Sequence, residues 1–352
     1  MTLPKRCFAV LIYCGFAIGH SACIQQDIAD TSLSNTANAQ VTNPIFDGWY
    51  ADPEVAVIDG SYWIFPTFST DFIDQLHFDA FSSTDLITWK KHPRILTKSD
   101  ITWAKQAMWA PSLTQKDGRF FLFFAANDPQ TPDRKWYDPN NDINHYGGIG
   151  IAVADAPEGP YEDYLGEPLI SEFYNNAQPI DQFVYRDDDG SYYFFYGGWG
   201  VCNIGKLKAD FTGFIPWEDG TLFKDITPSN YVEGSFVFKR GNHYYFLWSE
   251  GDWANDSYQV AYGISKSVTG PYQRQGVILS SDPGIATGAG HNSVLFRSNP
   301  VTEDDEAIIV YHRRPIPNKS PHHRVVALDR LHFNEDGSIA PVVMTKSFSI
   351  TD

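Results

Sequence analysis

One pattern of apolar and polar positions recurs along the chain: a short apolar strand, a tight polar turn, and a second strand rich in aromatic residues. Glu54-Val55-Ala56-Val57-Ile58 leads through Asp59-Gly60 into Ser61-Tyr62-Trp63-Ile64-Phe65. Ser112 to Lys116 turns at Asp117-Gly118 into Arg119-Phe120-Phe121-Leu122-Phe123-Phe124, and a third copy turns at Asp189-Gly190 into Ser191-Tyr192-Tyr193-Phe194-Phe195-Tyr196. The fourth turns at Gly241-Asn242 before His243-Tyr244-Tyr245-Phe246-Leu247-Trp248. A degenerate fifth pairs Ser293-Val294-Leu295-Phe296 with Ala307-Ile308-Ile309-Val310-Tyr311 across a longer turn. Asp-Gly and Gly-Asn between apolar runs supply the positive φ values that two-residue hairpins need.

A further strand follows each hairpin, as in Gly148 to Ala154, Val260 to Ser265 and Val325 to Leu328. Each unit therefore reads as a meander of about four strands. Small antiparallel sheets repeated around an axis leave only short edges, which is how propellers manage unpaired strands. The expected fold is all-β, a five-bladed β-propeller filling residues 43–352. A β-sandwich or a solenoid is the alternative, but a sandwich would not repeat one motif five times.

In a propeller the first strand of each blade lines the central channel, so residues near its start converge from different blades. Asp52, Trp109, Asp181 and Glu233 each stand seven or eight residues before their hairpin turns, and His291 holds the matching place in the fifth unit. A carboxyl entering a β-core costs several kcal/mol unless it is paired or hydrogen-bonded. A strand-end charge facing solvent explains any one of these residues, but not three carboxyls in register. Cleaving an acetal needs one carboxylic acid to protonate the leaving oxygen and one carboxylate to activate water or attack carbon. A third carboxylate nearby keeps the acid's pKa high.

At these residues the chain resembles glycoside hydrolase family 43. The matching segments are Asn43-Pro44-Ile45 with Ala51-Asp52-Pro53-Glu54, then Trp109-Ala110-Pro111-Ser112, Ile180-Asp181-Gln182, Val232-Glu233-Gly234-Ser235 and Gly290-His291-Asn292-Ser293. The resemblance implies a five-bladed propeller that inverts anomeric configuration, with Asp52 as general base, Glu233 as general acid, and Asp181 tuning and orienting the acid. It also implies a structural Ca²⁺ or Na⁺ ion near His291, reached through water, and no organic cofactor. Arg314 resembles a family arginine that reaches a substrate hydroxyl. Arg324 competes for that role, and structural pairing is the alternative for both. Trp109 and Phe68 would offer aromatic faces to the sugar, with core packing as the alternative. The Pro-, Asp- and Asn-rich segment from Asp128 to Tyr146 reads as a solvated loop or a rim over the pocket. Ser83 to Trp89 faintly resembles the Asp-box of sialidases without its glycine, and reads as a turn that stabilises a blade.

The net charge of −17 argues against nucleic acid as a partner and leaves a neutral polysaccharide or oligosaccharide admissible. Residues 1–23 read as an export signal: Lys5 and Arg6 precede an apolar run from Phe8 to Ile18 that is too short to span a bilayer. Ser21-Ala22-Cys23 resembles a lipoprotein cleavage box, with His20 where an apolar residue is usual, so membrane attachment through a lipid on Cys23 is one expectation. Residues 24–42 have the composition of a disordered tether. Cys202 is the one cysteine outside the signal, which excludes an internal disulfide and a cysteine-based metal site.

The leading expectation is an exported hydrolase that releases α-L-arabinofuranosyl residues from plant polysaccharides or oligosaccharides. β-D-xylosidase and galactan-directed action stay open, as does a carbohydrate-binding propeller without catalysis.

Overall fold

Strands form where apolar and aromatic residues recur, and break at the Asp-Gly and Gly-Asn pairs. The computed structural model describes residues 40–127, 147–298 and 305–350. Five antiparallel sheets are arranged as a five-bladed β-propeller. Blade one comprises Tyr50–Ile58, Ser61–Phe68, His77–Ser83 and Lys90–Thr97; blade two comprises Trp109–Lys116, Arg119–Ala126, Gly148–Ala154 and Glu162–Asp163. In blade three, Phe183–Arg186, Tyr192–Tyr196 and Asn203–Leu207 are followed by two short pieces, Phe214–Ile215 and Phe223–Asp225, both paired with Asn203–Leu207. Blade four is Glu233–Arg240, His243–Glu250, Gln259–Ser265 and Gln273–Leu279. Blade five has three strands, Ala286–Ser298, Asp305–Pro315 and Val325–Leu331.

The first strands touch in a closed circuit, one to two, two to three, three to four, four to five and five to one. The core lies in wedges between blades. Phe65, Phe78 and Phe124 fill the wedge between blades one and two, and Phe123, Phe194 and Phe211 the next. Trp248 and Tyr311 lie in a larger cluster spanning blades three to five. Fully burying each such ring contributes about 1.5 to 3 kcal/mol.

Residues beside the site motifs latch neighbouring blades. Leu113 N–H donates to Glu54 Oε1 (2.8 Å), Val55 N–H to Ser293 Oγ (3.0 Å), and Ser293 Oγ to the Pro53 carbonyl (2.9 Å). Gln182 Nε2 donates to the carbonyls of Ala110 and Phe123.

The two ends of the described chain close the ring. Gln40–Thr42 pairs with Ser347–Ser349, and the Asn43 amide bonds both the N–H and the carbonyl of Leu328. The expected tether is thus corrected at its end: Gln40–Thr42 is a strand because Val41 is fully buried between blades five and one. The rest of that tether, the export signal with Cys23, and the Asp128 to Tyr146 segment lie outside the described residues. Ser83 to Trp89 is a turn, tied by Asp85 Oδ1 accepting from the N–H groups of Ile87 and Thr88.

Candidate active site

Four of the five inner strands are irregular near their start. The pairing register slips between Ala51 and Glu54, Trp109 and Ser112, Glu233 and Phe236, and Gly290 and Asn292. At those points the backbone turns left-handed: φ is 47° at Asp52, 47° at Ala110, 73° at Gly234 and 34° at His291. Asp181 has φ of 53° just before Phe183 begins its strand. Ile180 and Asp181, consecutive residues just before that strand, both line one cavity. The backbone equivalents are therefore Asp52, Ala110, Asp181, Gly234 and His291. Trp109 and Glu233 stand one residue upstream, which corrects the register obtained by counting back from the turns.

Two glycines make room here. A Cβ at Gly234 would lie 2.8 Å from Ser249 Oγ, and one at Gly290 would collide with the ring of Tyr258.

The cavity has an empty volume of about 260 Å³ and is lined by Asp52, Trp109, Ile180, Asp181, Glu233, Trp253 and Arg324. The structure thus brings together the three expected carboxyls and Trp109. It does not bring Phe68 or Arg314 to the cavity. Phe68 stacks on His77 at 4.5 Å and meets the edge of Tyr50, because strand alternation turns it toward the wedge between blades five and one. Arg314 is fully buried behind the wall, where it donates to the Trp253 carbonyl (3.3 Å) and to Asp256 Oδ1 (3.4 Å). It shares a face of its strand with His312 but stands two residues, about 6.6 Å, further along. Arg324 lines the cavity. Its guanidinium lies over the rings of Trp109 (5.4 Å) and Trp253 (5.3 Å), with Phe72 packed against both indoles.

Asp52 is surrounded by nitrogen. Arg324 Nη1 donates to its Oδ1 at 3.2 Å, and the Nδ1 atoms of His312 and His291 lie 3.2 and 3.5 Å from the same oxygen. Burial alone would raise the Asp52 pKa, but Arg324, His312 and His291 outweigh it and hold the carboxyl ionised, below the usual range. The Asp52 N–H donates to His312 Nδ1 at 3.1 Å. Burial holds His312 neutral, with its pKa lowered to about 4.

Glu233 meets the opposite surroundings. Burial and the negative charge of Asp181 push its pKa up to about 8, against the pull of the Tyr258 hydroxyl, which donates to Glu233 Oε1 at 2.9 Å, and of His291. His291 Nδ1 lies 3.2 Å from Asp181 Oδ2. Although burial opposes it, Asp181, Asp52 and Glu233 raise the imidazole to about 9. The site therefore holds an ionised carboxylate and a neutral carboxylic acid in one cavity at neutral pH, the division of labour that acetal cleavage requires. Cys202 contributes no nucleophile: it is buried and its thiol is pushed up to about 12.

On the turn side of His291 a second cavity, about 220 Å³ of empty volume, follows the propeller axis past Glu54, Gln182, Ser235, Asn292 and Ser293. Gln182 Oε1 and both amide atoms of Asn292 are buried there with no hydrogen-bond partner among the described residues. Among those residues no three His, Cys, Asp or Glu side chains converge to hold an ion. The oxygen donors of this cavity suit a hydrated hard cation held through water.

The family model for glycosyl hydrolases family 43 matches residues 41–339. The chain belongs to family 43. It is accordingly an O-glycosyl hydrolase. Among curated members of the family, it is 39% identical to the β-D-galactofuranosidase xynD of Aspergillus niger, over 97% of this chain and 95% of that protein. It is 26% identical to a xylosidase/arabinosidase of Bacteroides ovatus, over 70% of this chain and 82% of that one. A solved family 43 β-xylosidase/α-arabinofuranosidase from a compost microbial metagenome, in complex with xylotriose, superposes with a TM-score of 0.68 at 22% identity, covering 86% of this chain and 98% of that one.

Sequence reasoning missed Trp253, Ile180, Tyr258 and His312. Only Ile180 carried a signal, its adjacency to Asp181 in the Ile180-Asp181-Gln182 segment.

Proposed function

We propose that this family 43 enzyme is an inverting hydrolase that releases terminal α-L-arabinofuranosyl residues from plant polysaccharides or oligosaccharides. The observation that carries this reading is the pairing of ionised Asp52 with protonated Glu233 in one small cavity.

Asp52 takes a proton from the water that attacks the anomeric carbon. Glu233 gives its proton to the departing oxygen as the glycosidic bond breaks, so one water is consumed and the released sugar has inverted configuration. Asp181 keeps Glu233 protonated through its charge. The buried Arg324 Nη2 has no partner among the described residues and is placed to bond a ring hydroxyl. Trp109 and Trp253 give the sugar its apolar walls.

A second reading, β-D-galactofuranoside hydrolysis, is favoured by the 39% identical relative. The two furanoses share ring configuration and differ in the exocyclic arm. Initial rates on aryl α-L-arabinofuranoside, β-D-galactofuranoside and β-D-xyloside, with proton NMR of the first-formed anomer, test both. Fastest turnover of the xyloside, or a retained anomer, would sink the proposal; binding without turnover on any glycoside would favour a carbohydrate-binding propeller.

A Ca²⁺ or Na⁺ ion is proposed in the axial cavity, held through water by His291 with Gln182 and Asn292 as oxygen donors. Its charge would add to the positive potential beneath Asp52 and displace the proton from His291. Export through residues 1–23, with a lipid on Cys23, is likewise proposed; the mass of the mature N-terminus tests it.

A further inference from the structure

A polysaccharide or oligosaccharide substrate extends beyond the residue that is cleaved. Trp49 immediately precedes the first strand of blade one, so it lies beyond that strand's mouth end. It is three residues from Asp52, and three residues of chain span at most about 11 Å. Trp49 is 40% exposed, unusual for so large an apolar residue. One face of the ring is covered by His323, stacked at 4.3 Å with the planes 12° apart. The exposure therefore belongs to a flat ring held in one orientation.

The frame behind the pair is continuous with the site. The Ser69 N–H donates to the Trp49 carbonyl (3.0 Å), and Ser69 Oγ donates to the His322 carbonyl (2.7 Å) while accepting from Arg324 Nε (3.1 Å). The Tyr50 N–H donates to the Arg324 carbonyl (2.7 Å). Arg324 in turn reaches Asp52. The backbones carrying Trp49 and His323 are thus fixed by the groups that set the charge of the base.

We propose that the Trp49–His323 pair is a binding platform for the substrate chain outside the cavity, stacking a sugar ring of the portion that leaves with the oxygen protonated by Glu233. The C–H face of a furanose or pyranose is apolar and matches the indole face, while its hydroxyls stay in water. Stacking of this kind tolerates different sugars and linkages, so the platform favours length over identity. The inference rests on the glycosidase reading above but not on which terminal sugar is cleaved.

The test measures kcat and KM on the methyl glycoside and the linear tetrasaccharide of whichever sugar the substrate panel shows to be hydrolysed. Wild type, Trp49→Ala, Trp49→Phe and His323→Ala are compared, with thermal melts as the check on folding. Trp49→Ala is expected to lower the tetrasaccharide-to-methyl-glycoside ratio of kcat/KM about tenfold, equivalent to about 1.4 kcal/mol, through KM rather than kcat. Trp49→Phe should restore most of the ratio, and His323→Ala should fall between. An active, folded Trp49→Ala whose ratio equals that of wild type overturns the platform alone. A wild type inactive on every glycoside overturns the glycosidase reading and the platform with it.

Discussion

Asp52 and Glu233 lie in one cavity and are buried alike, at 5% and 7% exposed, yet their surroundings hold them in opposite protonation states. At the blade-one end Arg324, His291 and His312 surround a single carboxylate oxygen. At the blade-four end Glu233 has the Tyr258 hydroxyl as a neutral donor and the negative charge of Asp181 nearby. Burial pushes both carboxyls toward the neutral form, so the partners decide. His291 joins the two ends, close to Asp52 and Asp181 and felt by Glu233, which makes the pair one electrostatic unit.

The most direct way to break the comparison is to remove each carboxyl's proton chemistry in turn. Glu233→Gln is expected to lower kcat on natural glycosides by about 10³-fold and far less on dinitrophenyl glycosides, whose leaving group needs no proton. Asp52→Asn should lose both activities equally. Matching profiles for the two variants would cancel the assignment of acid and base.

A smaller loss, about 10²-fold in kcat/KM, is expected for Arg324→Met. Without that cation the buried Asp52 carboxylate is left poorly compensated, its pKa rises, and the acid limb of the pH profile moves upward. Denaturant unfolding should show a loss of about 3 kcal/mol, as for other broken buried pairs.

Tyr258→Phe sharpens the other end. The hydroxyl stabilises ionised Glu233, so its removal should move the alkaline limb upward, with kcat/KM changing by less than about fivefold; pH–rate profiles check both. The smallest effect concerns the proposed ion: Ca²⁺ added to chelator-treated enzyme should raise Tm by about 2 to 4 °C for each kcal/mol of binding.

How far the sequence reaches follows from the same geometry. The fold was legible because turns such as Asp59-Gly60 and Asp117-Gly118 punctuate one motif five times. Asp52, Asp181 and Glu233 were legible because the inner strands bring one place in each repeat to a shared funnel. The bulges were not, since Ala110 and His291 adopt left-handed φ without the glycine that usually announces it. Trp253 comes from the loop after blade four's second strand, and Tyr258 from the residue before its third. Such positions recur in no other blade, so no repeat could point to them. Arg314 rested on resemblance alone, and the structure gives it the alternative of structural pairing, with the Trp253 carbonyl and Asp256.

The central claim is that Glu233 is the group kept protonated at neutral pH. The pH dependence of kcat/KM on an aryl glycoside, in wild type and in Glu233→Gln, tests it most directly. The account predicts an alkaline limb near pH 8 in wild type, set by Glu233, that is absent from the variant's residual activity. An alkaline limb of unchanged position in Glu233→Gln would contradict it.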